Sequence, residues 1–262
     1  MNKTLSKSNS NFFIFFCLLI VIYFIYSFFV TDGIVSNLSA PSFRHWFGTD
    51  LAGGDVFIKS INALGLEVLT LLIVLPVIYF GGLAVGMILS YFSNDRIREF
   101  LLNLIRYWVT LPVLLIALFL LILLGSGQKN AIIVIIFLYI PTQALYVYNQ
   151  LETLKKQEFI IAKLSYGFSK LYLYKNHLFP NIKKGFANYT YARMPEIIMM
   201  NLALNFLGLG AQPQVSSFGR MLFDGLSFMF SAWWMWLFIV IFLVILFLGM
   251  NNFIKKLLVR SV

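Results

Sequence analysis

The sequence predicts an all-α membrane protein with about six transmembrane helices. Three observations predict it: a composition too apolar for a water-soluble core, apolar runs of membrane-crossing length, and basic residues gathered on one set of connections. Of the 262 residues, 60% are hydrophobic and only 11% charged, against roughly 45–50% and 25% in an average soluble domain. Lipid is the solvent such a chain requires. The net charge of +10 raises the question of nucleic acid, but a phosphate-binding patch needs a folded aqueous face. The charge reads as a topology signal, and no nucleic-acid partner is expected.

Apolar runs lie at about 12–30, 66–92, 100–124, 131–148, 186–207 and 232–253. Each is near the ~20 residues an α-helix needs to cross about 30 Å of hydrocarbon. Lys3 and Lys7 precede the first run as they would in a signal peptide. That run is longer than a signal-peptide core and no small-residue cleavage site follows, so it reads as a retained helix. The single cysteine, Cys17, lies inside it and has no partner for an internal disulfide.

The expected organisation is a cytoplasmic N-terminus (1–11), a first transmembrane helix (12–30), an extracytoplasmic loop (31–65), a five-helix core (66–254) containing a cytoplasmic loop at 149–185, and a cytoplasmic C-terminus (255–262). With the N-terminus inside, fourteen basic residues fall in inner segments and four, Arg44, Lys59, Lys129 and Arg220, in outer ones. Arg106 and Arg193 sit within or beside spans. This positive-inside bias places both termini in the cytoplasm. The long connections 31–65, 149–185 and 208–231 are where function is expected.

In the inner loop, Gln157 to Tyr166 reads as a short helix stopped by Gly167, followed by a second helix and then Pro180. Phe159, Ile160, Lys163 and Leu164 give the first helix both apolar surface and charge, which calls for a partner or the membrane surface. The loop resembles the cytoplasmic coupling loop of ABC-transporter permeases, whose pattern is Glu-Ala-Ala, three residues, Gly, about nine residues, then Ile-x-Leu-Pro. In register with Gly167, the Glu-Ala-Ala positions fall on Ile161, Ala162 and Lys163, where only the central alanine is kept. His177-Leu-Phe-Pro-Asn-Ile182 follows the subfamily's His-Leu-Leu-Pro-Asn-Val. The resemblance implies that Glu158, Ile161, Ala162, Lys163, Gly167 and Pro180 couple to an ATPase subunit, with Glu158 offered in place of the missing glutamate.

The first outer loop carries Gly48, Thr49, Asp50, Gly53 and Asp55. These match a Gly-Thr-Asp-x-x-Gly-Arg-Asp segment of the second permease subunit of dipeptide, oligopeptide and nickel importers. Gly54 stands where that subfamily has arginine. His45, Asp50 and Asp55 have metal-ligand chemistry, yet a turn of Gly, Thr and Asp uses the same side chains to cap backbone; the turn is the reading adopted, and no metal site or cofactor is expected. After the fifth run, Asn205-Phe-Leu-Gly-Leu-Gly-Ala-Gln-Pro213, with Gly208, Gly210, Gln212 and Pro213, resembles Ser-Phe-Leu-Gly-Leu-Gly-x-Gln-Pro-Pro of the same subunits. Ser217 to Leu222 and Ser231 to Met235 continue the match, which covers about residues 40 to 235.

Within the spans, Arg193 and Glu196 are three apart and read as an internally neutralised pair. Glu67 and Glu99 lie near run ends. Asn201 stands where many subfamily members place a glutamate and is available for hydrogen bonds between helices. Gly82 and Gly86 form a GxxxG face, and Pro76, Pro112 and Pro141 supply bends. Neither a hydrolytic constellation nor a GxxxxGK[ST] phosphate loop is present in the sequence, so the chain reads as a non-catalytic subunit and ATP must be bound elsewhere.

The resemblance therefore implies a permease of the type I ABC importer fold in a bacterial cytoplasmic (inner) membrane. It implies a second homologous permease, two ATP-binding subunits and an extracytoplasmic solute-binding protein as partners, with peptides or nickel and metal-chelator complexes as substrates. The rival is a gradient-driven secondary transporter, which usually carries ion-coordinating acids near the midplane.

Overall fold

The computed structural model describes residues 37–92, 94–212 and 214–261. The expected first span at 12–30, with Cys17, and the motif residue Pro213 lie outside them. The described residues are helical apart from loops and one isolated antiparallel bridge, between Thr49 and Asp55. The helices are α1 (Val56–Tyr91), α2 (Asp95–Thr110), α3 (Val113–Leu124), α4 (Gln128–Lys155) and α5 (Glu158–Ser165). They continue with α6 (Lys170–Leu173), which passes through a π-helical stretch, Tyr174–Leu178, into α7 (Phe179–Tyr191). Last come α8 (Met194–Phe206), α9 (Phe218–Leu226) and α10 (Trp234–Ser261).

Among the described residues α1, α4 and Trp234–Lys256 of α10 are each long and apolar enough to cross a membrane, and α2 with α3 makes a fourth if the bent pair is one span. Large side chains such as Leu72, Phe80, Ile122 and Phe137 stand exposed on these helices. In lipid that exposure carries no penalty.

Three details depart from the hydropathy pattern. Helix α1 starts at Val56, ten residues before the apolar run, because Asp55 caps it by accepting from the Phe57 and Ile58 amides at 2.8 and 3.1 Å. Lys59 and Asn62 interrupt hydropathy there without interrupting the helix. The run at 100–124 is broken: α2 and α3 meet at a 97° bend, where Leu111 is extended (φ −73°, ψ 148°) ahead of Pro112, the conformation a residue before proline prefers. The run at 186–207 is divided between α7 and α8 at Ala192 and Arg193, since Pro195 has no amide with which to continue the ladder.

The most extensive helix contact is α1 on α4. Gly82 and Gly86 allow it: a Cβ on Gly82 would meet the Gln143 side chain, and one on Gly86 would meet Val147 and the Ala144 carbonyl. Val74 and Ile78 of α1 then pack with Ala117 and Leu121 of α3, Ala131, Val134, Ile135 and Leu138 of α4, and Ile197 and Leu204 of α8. This cluster positions the loops at the two ends of the bundle.

Candidate functional site

At one end of α1 lies the inner loop. Helix α5 is held by Ile160, which is 1% exposed and packs with Leu151, Leu178, Ile182 and Phe186. Its other apolar side chains, Phe159, Ile161 and Leu164, are exposed, as are Tyr166 and Phe168 just beyond. An eight-residue helix that buries one apolar side chain and presents the rest is not part of the core. Glu158, in its first turn, and Ala162 are exposed as well.

The α5 helix stops at Gly167. The Phe168 amide reaches back to the Lys163 carbonyl at 3.2 Å and the Gly167 amide to that of Leu164 at 3.0 Å, while Gly167 takes φ +84°. This is a Schellman cap, which a glycine closes without Cβ strain. The chain reverses there into α6, whose first turn Ser169 caps by accepting from the Tyr172 amide at 3.2 Å. Lys163, at the last position of the Glu-Ala-Ala pattern, sets its Nζ 2.8 Å from the His177 ring Nε2, tying α5 to the returning helix. Pro180 is exposed in the first turn of α7. The loop is fixed to the bundle by Tyr174, whose hydroxyl donates to the Ser90 hydroxyl at 2.9 Å, and Ser90 in turn donates to Glu152 at 2.8 Å.

At the other end, the first outer loop closes on itself and on α10. Thr49 is fully buried, and its hydroxyl accepts from the Ser39 amide at 2.8 Å. Gly48 (φ +71°) lies against Ser39 and the Trp234 ring, where a Cβ would clash, and Trp234 donates from its indole to the Thr49 carbonyl at 3.3 Å. Asp50 accepts from the Ala52 and Gly54 amides at 3.0 and 2.9 Å and pairs with Lys59. Gly53 (φ +75°) completes that turn. Asp55 caps α1 with one oxygen and takes His45 Nδ1 on the other at 2.8 Å. Both carboxylates thus perform the capping work of a turn. The Lys59 side chain fills the space a Cβ on Gly54 would need.

The second outer motif follows α8. Gly208 (φ +75°) ends that helix in the same way as Gly167 ends α5: the Leu209 amide bonds to the Leu204 carbonyl at 2.9 Å and the Gly208 amide to that of Asn205 at 3.1 Å. A Cβ on Gly210 would strike the Asn205 side chain, whose oxygen accepts from the Ala211 amide. Gln212 is exposed, and its carbonyl accepts from the Val215 amide at 2.9 Å. Helix α9 lies against α8 through Gly219, and Phe218 packs in one cluster with Val56, Ala63, Ala232, Trp234 and Met235. The structure therefore brings the first outer loop together with α9 and the start of α10 in a single cap.

A third polar site, buried inside the bundle toward its outer end, escapes the hydropathy reading. Glu67 is 1% exposed rather than near a helix end, because α1 begins eleven residues before it. Asn201 of α8 donates to both of its carboxylate oxygens at 3.0 Å. Gln128 of α4 donates to Asn201 and to Thr70, each at 3.1 Å. Gln143 and Thr190 form a second link, between α4 and α7, at 3.2 Å. The available signal was the amides and the carboxylate standing inside apolar runs, which lipid tolerates only where they pair. Arg193 and Glu196 form the expected pair at 2.7 Å, and the guanidinium lies over the Tyr189 ring.

Residues 82–260 match the family described as the binding-protein-dependent transport system inner membrane component. The chain belongs to that family. It is accordingly an ABC importer permease, a multi-pass membrane subunit in a family of transport components rather than catalysts. The permease is 29% identical to the dipeptide transport system permease protein DppC of Alkalihalophilus pseudofirmus, over 82% of this chain and 71% of that one. It is 28% identical to DppC of Bacillus subtilis, over 78% and 63%. With the glutathione transport system permease protein GsiD of Escherichia coli it shares 30%, over 70% and 60%.

Proposed function

We propose that this permease pairs with a second homologous permease to form the path of an ATP-driven importer, powered by two ATP-binding subunits and fed by an extracytoplasmic solute-binding protein. The observation that carries the reading is α5, a short helix with one buried anchor and an exposed apolar face, ending in the positive-φ Gly167. Closure of the ATPases would move α5, and its anchorage through Ile160, Lys163 and Tyr174 would pass that motion to α1, α4 and α7 as a rigid shift. Glu158, Ile161, Ala162, Lys163, Gly167 and Pro180 are the proposed coupling residues. The outer motif residues Gly48, Thr49, Asp50, Gly53, Asp55, Gly208, Gly210, Gln212 and Pro213 are proposed to shape the loops on the side of the binding protein. Both termini are placed in the cytoplasm.

Peptides are the proposed substrate class, because the relatives above are named for dipeptide and glutathione transport. Nickel and metal-chelator complexes, which the resemblance also implied, gain no support from those names. The test is transport by the reconstituted complex in proteoliposomes. Uptake of peptide should require ATP and the binding protein and should persist when proton and sodium gradients are collapsed. Uptake by this chain alone, driven by either gradient, would instead establish the secondary transporter.

A further inference from the structure

Helix α2 is not needed by the transport reading, yet its side chains divide into three faces. Leu102 is fully buried and, with Leu101 and Ile105, packs on Leu89 of α1 and Tyr148 of α4. Ile97, Phe100, Leu104 and Tyr107, at spacings of three and four, form an exposed apolar stripe, between 46% and 71% exposed. Arg96, Glu99, Asn103 and Arg106 form the exposed polar face. Such a three-way division suits a helix that rests on protein with one side, on hydrocarbon with another and on water with the third.

The bend sets its direction and depth. Helix α3 packs alongside α4, so the 97° turn lays α2 across the bundle rather than along it. From the outer end of α3, twelve residues of helix give about 18 Å and the extended Leu111 and Pro112 about 6 Å more, so α2 lies about 24 Å down a hydrocarbon layer of about 30 Å. A second measure agrees: Tyr148, which α2 touches, is about 30 Å along α4 from Gln128. Both depths fall at the inner boundary, where an amphipathic helix sinks its apolar face about 5–10 Å.

We propose that α2 is an in-plane interfacial helix that binds anionic phospholipid headgroups of the cytoplasmic leaflet, with Ile97, Phe100, Leu104 and Tyr107 in the acyl boundary and Arg96 and Arg106 on the phosphates. Charge selects the occupant. Arg98 is engaged by Asp95 at 2.7 Å, whereas Arg106 donates from one guanidinium nitrogen to Asn103 at 3.0 Å and makes a loose contact with Glu99 at 3.7 Å. Arg96, and the Arg106 donors not taken up by Asn103, therefore suit a phosphodiester, and Lys156 adds positive charge just beyond the neighbouring end of α4, where Lys155 is already paired with Glu152 at 2.7 Å. The proposal rests on the inner orientation given above.

The test uses the full complex, carrying Cys17→Ser, in bilayers of phosphatidylcholine alone and of equimolar phosphatidylcholine and phosphatidylglycerol. A spin label on Leu104→Cys should collide more with oxygen than with a water-soluble paramagnetic chelate, and a label on Asn103→Cys should show the reverse. Phosphatidylglycerol should be retained by the complex in preference to phosphatidylcholine, and each of Arg96→Gln and Arg106→Gln should weaken that preference about five-fold. A Leu104 label shielded from both reagents would mean that the second permease covers the stripe, and one open to the chelate would mean water; either overturns the proposal. So does a lipid-facing label without a phosphatidylglycerol preference. Labelling of Lys156→Cys from the inner side checks the orientation separately.

Discussion

At the scale of single residues, the least expected feature is a carboxylate enclosed in a lipid-spanning bundle with only amide partners. Glu67 takes both of its hydrogen bonds from the Asn201 amide, and that amide is ordered in turn by Gln128. Removing either partner leaves the other buried and unsatisfied, which costs roughly 1–3 kcal/mol and more when the stranded group is charged. Asn201→Leu should therefore lower the thermal stability of the detergent-solubilised complex by more than Glu67→Gln, which keeps a polar partner for Asn201. Equal and negligible shifts in melting temperature would show that the pair does not hold α1 to α8. None of this geometry was legible beforehand: Asn201 was readable as a helix-to-helix donor, but its acceptor depended on where α1 begins. That point is set by the side chain of Asp55, not by hydropathy.

At the scale of elements, the sequence was most informative where one residue type has one conformational use. Gly167 was expected to reverse the chain and does so at φ +84°. The 97° bend between α2 and α3 was harder to foresee, because Pro112 within an apolar run is compatible with a mild kink as well as with a break. What decided it is the amphipathic character of α2, whose polar face cannot follow α3 into hydrocarbon. For α5 the prediction turns on its end. Nothing lies within 4 Å of a Cβ built on Gly167, so a side chain there meets no neighbour and the whole penalty is backbone strain, roughly 1–2 kcal/mol. Gly167→Ala should loosen the cap mildly and Gly167→Val more, since a β-branched side chain is worse at positive φ. Membrane insertion should be unchanged. The measured effect should be weaker co-purification of the ATPase subunits, or hydrolysis no longer linked to uptake. A Gly167→Val complex that assembled and transported at the normal rate would remove the cap from the coupling mechanism.

At the scale of the whole molecule, the inner loop and the outer cap must lie on opposite sides of the bilayer, and α1 supplies the argument. The cap closes directly on its first residue through Asp55, whereas the coupling loop is fixed to its last turn through Ser90 and Tyr174. Thirty-six residues of helix separate those points by about 54 Å, well beyond about 30 Å of hydrocarbon even with substantial tilt. The basic residues choose between the two remaining orientations, since among the described residues twelve fall on the side of the coupling loop and four on the other. Lys156 at the end of α4 and Gln214 between α8 and α9 are both exposed, which suits them to report the result in a Cys17→Ser background. A cysteine at Gln214 should react with a membrane-impermeant maleimide in intact cells, and one at Lys156 only after the membrane is opened. The reverse pattern would invert the chain and place α5 out of reach of any cytoplasmic ATPase. Reaction of both from outside would mean that α1 does not cross the bilayer at all.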